Sequence, residues 1–235
     1  MHTVIIRLIV LVTTSLSFLV CNTSLFAQKS DFGNWFIYFG NQKINKRWNF
    51  WNEVQYRNYN FIGDMQQLLV RTGVGYNLTE NNNNLLLGYA YVRSRNYLSN
   101  SEDEETVSTN EHRIYEQFIT KQNFGRVFIQ HRYRVEERFR KDNDFSMRLR
   151  YFLSLNIPLN HKDMSGNTFY LSTYDEVFLN TKASIFDRNR LYGGIGYVIN
   201  KNFKVETGFM AQTIGTVNRN QLNLILFNNL PLCKK

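Results

Sequence analysis

Two short runs carry most of the ionisable chemistry of this chain. In HRYRVEERF (His131 to Phe139), Arg132, Arg134, Glu136 and Arg138 stand at every second position, and Arg148 and Arg150 repeat the spacing one turn later. The same alternation elsewhere contributes Glu53, Arg57, Arg71, Glu176, Arg190, Lys204 and Glu206. Residues two apart on an extended strand share a face, so these groups converge wherever strands lie side by side. Guanidinium is always charged and offers a planar fork of donors that fits carboxylates and phosphates. Such a face has two uses. It packs as a network of ion pairs, because charges taken out of water must be paired. Otherwise it forms a basic constriction that admits or holds small anions such as phosphates and carboxylates. The filled network is the expectation, and an anion-selective channel is its alternative.

Other chemistry is sparser. An outer-membrane lipid hydrolase would need a histidine, a serine and an orienting polar group. His112 has Ser108 near it in sequence, His131 falls on an apolar face, and His161 sits in a turn; no paired motif links them. Asp175 and Glu176 are adjacent, so on a strand they face opposite sides and do not form an acid–base dyad. Glu102-Asp103-Glu104-Glu105 reads as a solvated loop. Gly193, Gly194 and Gly196 resemble a phosphate loop, but no helix follows; glycines in a strand mark a bend or a close approach. No catalytic residue, metal site or cofactor is expected.

The elements that position these groups are strands. In Arg126 to Leu159, Val127, Ile129, Tyr133, Val135 and Phe139 form one face of a first arm, and Phe145, Met147, Leu149, Tyr151, Leu153, Leu155 and Ile157 one face of a second. The Lys141–Asp144 turn joins them. Arms of about a dozen residues exceed the usual five or six of soluble sheets and suit a tilted crossing of a bilayer. Further strands are predicted at Asp31–Gly40, Trp48–Tyr59, Gln66–Leu78, Leu85–Leu98, Glu111–Gln122, Thr168–Asn180, Asn189–Ile199, Phe203–Val217 and Gln221–Leu230. Ser99–Asn110 is the longest polar loop. Tight turns fall at Asn123–Gly125, Lys201-Asn202 and Arg219-Asn220. No helical period and no linker appears, so about eleven strands form one antiparallel meander.

Composition agrees with export. The chain has 235 residues, 15 % aromatic, with only 2 Pro, and its mean hydropathy of −0.39 excludes a bundle of membrane helices. The opening has Arg7, an apolar run from Leu8 to Val20 and small or polar residues before Ala27. It reads as a signal peptide over residues 1–27, with one barrel domain over 28–235. Thr13, Thr14, Ser15 and Ser17 interrupt that run and argue against a membrane anchor. Removing Cys21 leaves Cys233 alone, without an internal disulfide. The net charge is +9, but its arginines alternate along strands of an exported chain. Nucleic acid is therefore not an expected partner; outer-membrane lipid and small anionic solutes are.

A meander of this length leaves two open edges unless it closes. Its apolar face is bulky and aromatic along every strand and would overfill a lumen of about ten strands, whereas lipid sets no size limit. The expected fold is all-β: an antiparallel up-and-down transmembrane barrel of ten or twelve strands, monomeric, with Trp35, Tyr38, Trp48, Tyr59, Tyr76, Tyr97, Tyr151 and Tyr197 as interfacial aromatics.

With WNEVQYR (Trp51 to Arg57), HRYRVEERF, the Arg148–Tyr151 stretch, YDEVFLN (Tyr174 to Asn180) and FDRNRLYGGIGY (Phe186 to Tyr197), the chain resembles an uncharacterised family of bacterial exported β-barrels, a domain of unknown function. The resemblance spans roughly Asp31 to Leu230. It implies a barrel in the bacterial outer membrane and brings no activity with it. The carboxy terminus departs from the aromatic ending common in such barrels, with Phe227 in its place. The expected role is structural or interactive, or that of a narrow porin with a charged lumen, and not enzymatic.

Overall fold

A computed structural model describes residues 32–79, 82–97, 105–141, 144–182 and 184–233. The expected signal peptide and most of the Glu102–Glu105 run lie outside them. The described chain is all strand and turn: β1 (Phe32–Lys43), β2 (Trp48–Asn58), β3 (Met65–Asn77), β4 (Asn83–Tyr97), β5 (Thr106–Phe124), β6 (Val127–Arg140), β7 (Phe145–Pro158), β8 (Thr168–Asn180), β9 (Phe186–Val198), β10 (Phe203–Ile214) and β11 (Val217–Asn228). Each pairs with its sequence neighbours, and β1 pairs with β11 to close a barrel. The all-β, up-and-down barrel expected from the alternation is what forms.

The strand number differs. Eleven strands lie among the described residues, not ten or twelve. Successive up-and-down strands reverse direction, so an odd number brings the first and last into the same direction. The seam is accordingly parallel, from Phe32 opposite Asn220 to Gly40 opposite Asn228.

Two boundaries also move, each for a local reason. The polar loop is shorter than Ser99–Asn110, because Thr106 to Asn110 pair with Arg93 to Tyr97 and so satisfy their backbone groups in the ladder. The last hairpin turns at Gly215, not at Arg219-Asn220, since Ile214 pairs with Val217. Gly215 has φ +57°, as does Gly125 in the turn joining β5 to β6; tight hairpin turns need such left-handed residues.

Apolar side chains face outward. Leu149, Leu191 and Phe209 are exposed, the last by 63 %. The Trp48–Tyr76 and Phe169–Tyr197 pairs lie near one rim, at ring separations of 4.9 and 4.7 Å, with Tyr59–Tyr97 near the other at 5.1 Å. Trp35 is a correction to the expected girdle. It is buried, because the odd residues of β1 face the lumen, where it packs with Ile37, Tyr192, Met210 and Ile225. Glycine admits other lumenal rings: a Cβ at Gly196 would sit 2.0 Å from Tyr170 Cζ.

The turns alternate between two ends. One mouth carries the turns at 59–64 and 215–216. The other carries those at 44–47, 125–126 and 199–202, and its rim is rich in lysine: Lys43, Lys46, Lys121 and Lys201.

Candidate functional site: an ion network across the lumen

Glu136, on β6, is fully buried and lies at the centre of the lumen's charge. Its carboxylate accepts from Arg148 Nη2 at 2.6 Å and Arg150 Nη1 at 2.5 Å, both on the adjacent β7. Arg71, Arg113 and Arg134 each approach it to 3.6 Å. Arg150 also reaches Glu176 of β8 at 2.6 Å, joining two carboxylates through one fork. Glu176 accepts from Arg132 at 2.7 Å and faces Arg190 at 3.8 Å. On the other wall Glu53 accepts from Arg71 at 2.6 Å and from Gln55 at 2.5 Å. Pairing fixes these contacts: Glu53 lies opposite Arg71, and Glu136 opposite Arg148, in hairpin register.

All thirteen charged residues singled out in the sequence lie on the inward parity of their strands, and they divide into three groups. Glu53, Arg71, Arg132, Arg134, Glu136, Arg148, Arg150, Glu176 and Arg190 form the network, and Arg138 joins it by pairing with Glu111. Among the described residues Arg57 stands apart from every carboxylate. It donates to Gln55 and Gln67 at 3.0 and 2.6 Å and lies 3.7 Å from the centroid of Trp35. Lys204 and Glu206 lie toward the lysine-rich mouth; Glu206 accepts from Tyr170 at 2.9 Å, and Lys204 sits 4.0 Å from the Phe227 ring centroid.

Sequence reasoning passed over Glu111, Arg113, Asp187 and Arg188. Arg113 donates to Glu111 at 2.8 Å, and Asp187 accepts from Arg148 at 3.0 Å and Arg188 at 2.9 Å. Glu111 and Arg113 carry the same period-two signal as the β6 arginines, continued by Tyr115 and Gln117, and reading their strand face by face would have found them. Gln117, buried beside them, accepts from Arg134 at 2.9 Å.

The arrangement is strongly cationic. Arg57 has no carboxylate partner among the described residues, and Arg134 and Arg190 reach theirs only at 3.6 and 3.8 Å. Fully buried guanidinium in this setting fills and stiffens the lumen, and it attracts anions. The histidines lie elsewhere. His112 and His131 face outward, with ring nitrogens 2.6 Å from the Tyr89 hydroxyl and 2.9 Å from the Tyr151 hydroxyl. Ser108 is four strand residues from His112, about 13 Å at the strand rise. Asp175 faces outward and accepts from Asn189 at 2.7 Å, on the opposite side from Glu176.

Fold and interior together define a closed β-barrel, oily outside and ionic within. The chain belongs to the family described as a protein of unknown function (DUF2490), whose model matches residues 32–223. It is similar to an uncharacterized protein of Methylorubrum extorquens, 32 % identical over 173 residues that cover 70 % of this chain and 71 % of the relative. No solved structure matches.

Proposed function

We propose that this protein is a non-enzymatic bacterial outer-membrane barrel, surrounded by lipid as a monomer, whose lumen is closed by ion pairs and which serves a structural or interaction role. The inversion of its faces carries the reading. Leu191 and Phe209 are among the most exposed residues, while Glu136 is fully buried among arginines; a soluble barrel gains nothing from that inversion, and a bilayer demands it. Because Arg71, Arg134, Arg148 and Arg150 meet Glu136 from three strands, the network reaches across the lumen and supports a barrel closed to solutes. Recordings in planar bilayers test this: folded protein gives no ion conductance at any salt concentration.

A second reading, an anion-selective passage, draws on the incomplete neutralisation of Arg57, Arg134 and Arg190. It expects conductance steps whose selectivity is lost in Arg134→Glu. Such steps in the unmodified protein would replace the closed barrel with the passage.

A further inference from the structure

Between the Glu136 network and the lysine-rich mouth the lumen holds a cavity of about 160 Å³. One wall is aromatic. Phe39 lies 5.6 Å from Trp51 and 5.3 Å from Phe227 by ring centroids, and Phe152 faces the same space. The other wall is ionic, with Arg71, Arg132, Arg150, Arg190 and Lys204 set against Glu53, Glu176 and Glu206. The carboxylates are already engaged: Glu53 by Arg71, Glu176 by Arg132 and Arg150, Glu206 by Tyr170. Lys204 forms no ion pair with any described residue. Among the lining residues three donors, Arg71 Nε, Arg132 Nε and Trp35 Nε1, and one acceptor, Asn156 Oδ1, are buried without a hydrogen-bond partner. Buried donors left unpaired are costly, and with donors in excess and five cationic side chains against three carboxylates the lining favours an acceptor that carries negative charge.

Access is from one side. The space at the lysine-rich mouth shares Gln130, Asn156 and Lys204 with the cavity, and the Glu136 network closes the far side. We propose that this blind cavity binds a small organic carboxylate with a compact apolar body, of the size of benzoate. Its ring lies against the aromatic wall and its carboxylate meets Lys204 and the neighbouring arginine N–H groups. The volume sets the scale, since a cavity of about 150 Å³ accepts a benzene ring. Water would answer the polar wall alone; the aromatic wall favours a ligand with both characters. The proposal rests on the barrel and its lumen, and holds whichever solvent surrounds the outer face.

The test is a titration of the folded full chain in detergent with 4-iodobenzoate, whose heavy atom quenches indole fluorescence. Trp35 and Trp51 line the cavity, while Trp48 lies on the outer face. Quenching is expected to saturate, to be displaced by benzoate and not by benzyl alcohol, and to weaken roughly ten-fold in Lys204→Met with recovery in Lys204→Arg. Absence of saturable quenching in folded protein overturns the proposal. So does equal displacement by benzyl alcohol, or unchanged affinity in Lys204→Met. The displacement arm needs no variant, so it decides the question even if the substitution prevents folding.

Discussion

Glu136→Gln is the most searching substitution in this lumen. It keeps the side-chain volume and one acceptor oxygen but removes the charge that two arginines contact directly and three more approach at 3.6 Å. Arg148 keeps Asp187, Arg150 keeps Glu176, Arg71 keeps Glu53 and Arg113 keeps Glu111, so four of the five retain a second partner. Arg134 loses its only carboxylate among the described residues. Removing one member of a buried pair costs about 3–5 kcal/mol, because the remaining charge stays out of water, and the surviving partners keep the expected loss near the lower figure. Urea unfolding in detergent micelles, followed by tryptophan emission and by the gel shift of unboiled samples, measures it. Asp163→Asn, at an exposed turn beyond the strand ends, is the control and leaves stability within about 0.5 kcal/mol. Adding Arg134→Gln to Glu136→Gln restores part of the loss, since the two residues share one interaction. Stability of Glu136→Gln equal to that of the control would refute the view that paired charge organises the interior.

Phe209→Arg, in the exposed apolar band, is expected to cost about 2–4 kcal/mol when the barrel is refolded into vesicles; a neutral or improved result would fit an outer face in water. Gly196→Val brings a side chain against Tyr170, where even a Cβ would stand 2.0 Å from the ring. The expected loss is about 1–3 kcal/mol, read as a lower urea midpoint. Gly215→Ala forces a left-handed turn on a residue with a Cβ, since Gly215 has φ +57°, and costs roughly 1–2 kcal/mol. The space around Gly215 is open, so Gly215→Asn, which tolerates that conformation, is expected to recover most of the loss.

What the sequence made legible follows from distance along the chain. Period-two alternation was enough to place Arg132, Arg134, Glu136 and Arg138 on one face, because that property is local to one strand. Neighbouring hairpin partners such as Glu53 and Arg71 were also within reach, since a tight turn sets their register. The link from Arg132 to Glu176, 44 residues apart, was not, because it depends on side-chain reach across an intervening strand. The parallel seam of β1 and β11 was equally hidden: its pairing is the most distant in the chain, and only the exact strand count dictates its direction. Trp35 was misplaced for a smaller reason. An aromatic residue near a strand end suits an interfacial belt, and only the parity of β1 sends it inward against Arg57. The turn at Gly215 lost to Arg219-Asn220 because polar composition was weighed above the one residue able to adopt positive φ. The lumen's cavity has no sequence signature at all, since its walls come from strands spread over almost the whole barrel.

The central claim is that oily side chains meet hydrocarbon while the guanidinium groups fill the axis. Nitroxide labels at Leu149 and Leu191, on a background lacking the native cysteines, test it most directly once the barrel is refolded into lipid vesicles. The account predicts relaxation enhancement by lipid-dissolved oxygen and almost none by an aqueous nickel chelate at both sites. Chelate-dominated relaxation at Leu149 and Leu191 would put that face in water and contradict it.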